Sequence, residues 1–215
     1  MGTLLLNSVM SFIANLLLFC AIPFLWWLIF HRKKTGLFKF LGIQKPVISM
    51  PIWTVLVFIA GYILFYQFGA NLLKPLISTE TQQVISQSES VSSNTFAGLG
   101  AMAIPAALVS GLCANGFCEE VLFRGFILKR FQARVGTAWA IIITAVLFGL
   151  MHNFFLLLAD IPVGFAYHIV EFTYPFIVGL MFGFANEKLF GGSIWPSILL
   201  HGLGNTVSFL ISIYK

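Results

Sequence analysis

Apolar runs near the ~20 residues that a helix needs to cross a hydrocarbon core recur along almost the whole chain. In lipid every backbone polar group must find its partner within the protein, and a helix achieves that inside one segment. The pattern therefore predicts an all-α, polytopic transmembrane bundle with room for about six spans. Composition agrees, since 59% of the 215 residues are hydrophobic and only 9% are charged, which excludes an ordinary soluble domain. The net charge of +5 does not indicate a nucleic-acid partner, because the charges cluster between apolar runs. The expected partner is the lipid bilayer.

The spans are expected at about residues 9–30, 51–73, 95–129, 137–158, 175–185 and 194–213. The first lacks the basic leader of a secretory signal and is followed, not preceded, by positive charge, so it reads as a retained span. Residues 78–94, rich in Ser, Thr and Gln, read as an external loop. Residues 159–174 mix Pro162, His168 and Glu171 with apolar residues and read either as a loop or as a partly inserted segment. The fifth span is short unless its start reaches back into that stretch. No internal repeat is evident. Residues 1–95 form a two-span N-terminal region, and residues 96–215 form a core that holds the polar motifs.

Charge fixes the expected orientation. Arg32, Lys33, Lys34, Lys39, Lys45, Lys129, Arg130, Arg134 and Lys188 fall on one side, against Lys74 and Lys215 on the other. By the positive-inside rule the first group is cytoplasmic, and both termini are outside a cell membrane. Glu80, Glu89, Asp160 and Glu171 fall on the outer side. Cys20, Cys113 and Cys118 lie in apolar segments without a Cys-x-x-Cys pair, and read as small buried residues.

Against this background, Cys118-Glu119-Glu120-Val121-Leu122-Phe123-Arg124 stands out. A carboxylate at a helix centre costs at least ~2.5–3.5 kcal/mol on insertion scales, so two adjacent ones need a reason. Glu120 and Arg124 are i and i+4 on a helix and can pair, which neutralises both. Glu119 lies about 100° around the same helix and is left free. One carboxylate reads as structural, and its neighbour as a base able to take a proton from water. Phe148 and His152 share a face at i and i+4, as do His201 and Asn205, whose imidazole and amide N–H groups can hold an oxyanion. Each pattern alone fits helix–helix hydrogen bonding equally well. Glu119 is ~15 Å from Lys129 and His201 ~9 Å from Trp195 along ideal helices, which places them in the cytoplasmic half, with His152 deeper at ~20 Å from Trp139.

Glu119-Glu120-x-x-x-Arg124, Phe148-x-x-x-His152 and His201-x-x-x-Asn205 resemble, in order, the three motifs of the CPBP intramembrane proteases. That family joins CAAX prenyl endopeptidases to bacteriocin-processing and abortive-infection-like proteins. The resemblance covers roughly residues 98–212, and the first two spans carry no matching motif. It implies a protease in which Glu119 and His152 activate water, and His201 and Asn205 hold the oxyanion. Glu120, Arg124 and Phe148 would support the site. It implies a peptide or membrane-associated protein as substrate. No cofactor is favoured; if zinc is used, Glu119, His152 and His201 are its ligands, although no His-Glu-x-x-His spacing is present. Two other classes use the same residues differently: a non-catalytic immunity protein or scaffold for a transporter or sensor, and an ion or proton carrier built on Glu119 and Glu120.

Overall fold

A computed structural model describes residues 2–88, 91–92 and 94–214. Glu89 and Lys215, both placed outside by the charge count, lie beyond the described residues. Among the described residues there is no strand. Apart from a short 3-10 turn at Asn94–Phe96, eight helices lie among the described residues: α1 (Gly2–Phe30), α2 (Leu37–Phe40), α3 (Ile52–Leu76), α4 (Thr79–Gln87), α5 (Ala101–Val135), α6 (Thr137–Leu158), α7 (Phe165–Leu189) and α8 (Trp195–Ser212). By length and apolar content α1, α3, α5, α6 and α7 can each cross a membrane. The sixth long helix, α8, is less apolar because it carries His201, Asn205 and two glycines, and it buries that face in the bundle while Leu199, Leu203, Val207 and Ile211 stay exposed on the other.

Several boundaries differ from the sequence reading, and α5 runs from Ala101 to Val135 where a span from about 95 to 129 is expected. The first helix begins at Gly2, not near residue 9. The loop at 78–94 contains α4, which starts where the Ser78 side chain accepts a hydrogen bond from the Thr81 N–H at 3.2 Å, an N-cap. The fifth span is not short, because α7 reaches back to Phe165. The polar residues that made residues 165–174 look like a loop turn toward a neighbouring helix or into a cavity of the bundle. The His168 ring bonds the Asn153 side chain at 2.9 Å, the Asn153 amide donates to the His168 carbonyl at 2.9 Å, and Tyr167 and Glu171 face a cavity.

Small residues set the helix packing. A Cβ at Gly116 on α5 would stand 2.5 Å from the Gly202 Cα on α8, and one at Gly111 would stand 2.2 Å from the Thr206 hydroxyl. Backbone-to-backbone contact of this kind is how helices associate where no hydrophobic force drives them together. Gly149, Gly179 and Gly183 do the same for α6 against α7. At the basic end, residues 42–49 strap the α7–α8 turn, with Ser49 N donating to the Leu189 carbonyl at 2.8 Å and Ile194 N to the Gly42 carbonyl at 3.0 Å. Lys129 adds a bond to Glu187 and one to the Gly192 carbonyl at 2.8 Å. At the other end Phe96, Ala103, Ala106, Ala107, Phe209 and Ile213 form an apolar cluster against the start of α1.

Candidate active site

The two glutamates sit on a single α-helical turn, Cys118–Glu120, between π-helical stretches at Val109–Phe117 and Val121–Leu128. Widened turns of this kind re-aim side chains and recur at functional sites. Here they direct the neighbouring carboxylates differently. Glu120 is fully buried and its Oε1 accepts from Arg124 Nη1 at 2.8 Å. Glu119 keeps 12% of its side chain exposed and borders a cavity of about 1120 Å³. His152, His201, Asn205 and Phe148 line the same cavity. Arg124 and Glu120 stand behind its wall.

Arg124 is held by rings as much as by charge. Its guanidinium lies 4.3 Å from the centre of the Phe148 ring and 5.3 Å from that of Phe182, within cation–π range. Gly179 makes room for it, since a Cβ there would lie 3.2 Å from Nη2. The same two rings clasp His201, with centroids at 5.9 Å and 5.5 Å. Phe148 therefore touches Arg124, His201 and His152, the last at 4.7 Å edge to face.

Hydrogen bonding fixes the state of each ring. His201 Nδ1 lies 3.0 Å from Glu120 Oε1, and a carboxylate paired with arginine only accepts, so Nδ1 carries the proton. His201 Nε2 then faces Glu119 Oε2 at 3.9 Å. His152 Nδ1 lies 2.9 Å from the Phe148 carbonyl, which also only accepts, so that ring leaves Nε2 bare as a proton acceptor. Glu119 Oε2 is buried without a hydrogen-bond partner among the described residues. An unpaired buried carboxylate oxygen is costly in a fold and marks a place where water or substrate belongs.

Asn205 is oriented by residues that carry no recognised motif. Its Oδ1 accepts from the Tyr66 hydroxyl at 3.3 Å, which orients the amide, and among the described residues no hydrogen bond engages its N–H₂ group. Tyr62, one turn earlier on α3, donates to the Leu200 carbonyl at 2.9 Å. Gly204 admits both rings, because a Cβ there would stand 2.7 Å from Tyr66 and 2.9 Å from the Tyr62 hydroxyl. The signal for these residues was present in sequence as two tyrosines at i and i+4 in an apolar helix, whose hydroxyls need partners in lipid. Deeper in α8, Ser197 and Asn186 lock α8 to α7 through a 2.8 Å bond between their side chains.

The side chains that would ligate zinc are Glu119, His152 and His201. His201 Nε2 and His152 Nε2 are both left without a proton, and the Phe148 ring contacts both imidazoles edge to face. Among the described residues no three His, Cys, Asp or Glu side chains form a group that could hold a metal ion.

A sequence model described as type II CAAX prenyl endopeptidase Rce1-like matches residues 101–207. The chain belongs to the CPBP family. No match was found to a curated protein or to a solved structure. The CPBP match begins at the first residue of α5 and ends inside α8, so it contains Glu119, His152, His201 and Asn205 but neither α1 nor α3. The family match supports a protease, and the helices suit a multi-pass membrane protein.

Proposed function

We propose that the chain is an intramembrane endopeptidase of a bacterial cell membrane that hydrolyses a peptide bond in a small peptide or membrane-associated precursor. One observation carries this reading: Glu119, whose Oε2 has no partner among the described residues, His152, whose Nε2 is left as a proton acceptor, and Asn205, whose amide oxygen is taken by Tyr66, line a single cavity. Water bound between Glu119 and His152 attacks the carbonyl carbon of the substrate as its proton passes to one of these bases. The new oxyanion takes a hydrogen bond from the Asn205 amide. His201 donates only when Nε2 is protonated, and Glu119 Oε2, at 3.9 Å, is the group that can hand it a proton. Collapse of the tetrahedral intermediate breaks the C–N bond, and the proton taken from water goes to the leaving amine. Glu120 orients His201 throughout, and Arg124 holds Glu120.

The substrate is found by comparing peptides from cells lacking the gene with peptides from cells expressing Glu119→Gln. A precursor that accumulates in both, and disappears when the parent chain is restored, is the expected result. Identical peptide profiles in all three strains would reject the protease reading.

Side chains supply every step above, so the reaction is expected to run without metal. After prolonged treatment of the purified, detergent-solubilised protein with a strong chelator, the rate should stay within about twofold of the untreated protein, well short of the several kcal/mol a Lewis-acid metal contributes. Loss of activity together with stoichiometric zinc, both restored by added zinc, would recast Glu119, His152 and His201 as ligands.

A further inference from the structure

The catalytic cavity has a direction. The six long helices line it from about mid-length outward: α1 from Asn15 to Phe19, α3 from Tyr62 to Lys74, α5 from Asn115 to Glu119, α6 from Phe148 to Leu156, α7 from Tyr167 to Val178 and α8 from His201 to Phe209. The lining stops near the middle of the bundle on the side of the basic loops, where α3 starts at Ile52 beyond Lys45, α5 ends at Val135, α6 starts at Thr137 and α7 ends at Leu189 beside Lys188, and it continues to the opposite end along α3, α6 and α7. The far rim is formed by exposed Lys74, Gln83 and Ser86 around α4, and by Ile161 in the α6–α7 connection.

Toward the basic end the site is sealed. Directly behind Glu119 and His201 lie Glu120 and Arg124, 0% and 1% exposed, with Ser197 and Asn186 fully buried beside them. Gly125 packs so closely that a Cβ would sit 2.9 Å from the Leu41 carbonyl, and the Lys129–Glu187–Gly192 bonds close the end of the bundle. A second cavity, of about 1030 Å³, opens among Lys39, Lys129, Arg130 and Arg134, but Glu119, His152, His201 and Asn205 are not on its wall.

We propose that the catalytic cavity is reached from the membrane face opposite the basic loops, so that the substrate is a peptide segment presented on the non-cytoplasmic side. This rests on the protease reading for what happens in the cavity, and on the nine-to-two distribution of basic residues for which face is which. The wall narrows the class of substrate further. Near the rim it is polar, with Gln82, Gln83, Ser86 and Asn94, while deeper it is aromatic, with Tyr62, Tyr66 and Tyr174. An extended segment emerging at the outer leaflet, with an apolar stretch leading to the scissile bond, matches that order.

Access can be measured without any cleavage. Single cysteines are introduced as Ser86→Cys at the rim, Ser208→Cys on the inner wall and Lys39→Cys at the basic end, in a chain whose three native cysteines are replaced by alanine. The same three substitutions in the parent chain, with the parent as blank, cover the case in which the cysteine-free chain fails to fold. A membrane-impermeant thiol reagent applied to intact cells is expected to label Ser86→Cys and Ser208→Cys, with labelling of Lys39→Cys at least tenfold slower. Inverted vesicles should reverse the preference. Labelling of Ser208→Cys only from inverted vesicles, or from neither face, overturns the proposal, as does labelling of Lys39→Cys in intact cells. The expected labelling together with a failure to cleave any precursor would leave the access route standing and reject the protease reading instead.

Discussion

Replacing Glu119 with glutamine is expected to lower the cleavage rate by about 10²–10⁴-fold, the contribution of a general acid–base group, while the folded protein stays as abundant as the parent. The two halves of that expectation have separate causes. Glutamine keeps the volume and polarity of the side chain but cannot take a proton from water. The fold tolerates the change because Glu119 Oε2 has no hydrogen-bond partner among the described residues, and the imidazole of His201 stands off with its Nε2 3.9 Å away. The measurement is turnover of the accumulated precursor by purified protein, with detergent-solubilised yield and melting temperature as controls. Turnover equal to the parent would reject the base. A membrane scaffold or immunity protein would keep its cellular function in Glu119→Gln, and a proton carrier would lose pH-driven flux in liposomes rather than peptide cleavage.

How far the sequence reaches can be seen in the two carboxylates. The i, i+4 spacing identified the Glu120–Arg124 pair because helix geometry is local, and the structure closes it at 2.8 Å. The pairing of His201 with Glu120 spans 81 residues and depends on how α8 meets α5, which no local rule specifies. That approach is set by Gly116, Gly202 and Gly111, whose meaning emerges only when the partner helix is known. Tyr66 could be marked only as a hydroxyl in need of a partner, not assigned to the site, for the same reason, since it finds Asn205 across 139 residues. The start of α7 was obscured by Tyr167, His168 and Glu171, which look like loop residues to a hydropathy reading but face other protein groups and a cavity. The π-helical stretches around Cys118–Glu120 left no signature, because their 3.6-residue pattern is shifted only locally.

Replacing Arg124 with alanine should be the most damaging single change to folding. Removing one partner of a buried ion pair leaves the other charge uncompensated and typically costs ~3–5 kcal/mol. Here Glu120 is fully buried, and its Oε2 has no other partner among the described residues. The space between Phe148 and Phe182 would empty as well, adding a cavity to the unpaired charge. The expected outcome is a sharp fall in membrane-extracted yield and in melting temperature, together with lost activity. Yield alone does not separate a structural role from a positioning role, and a second variant does. Glu120→Leu with Arg124→Met removes both charges while filling the volume, a change that is often neutral or stabilising for buried pairs. That double variant should recover most of the melting temperature. Its turnover should nevertheless remain at least tenfold low, because His201 Nδ1 loses the oxygen that holds its tautomer and aims Nε2 at Glu119. Full recovery of both properties would mean that the ion pair only holds helices together. An Arg124→Ala chain as stable as the parent would remove the pair from the fold's essential contacts altogether.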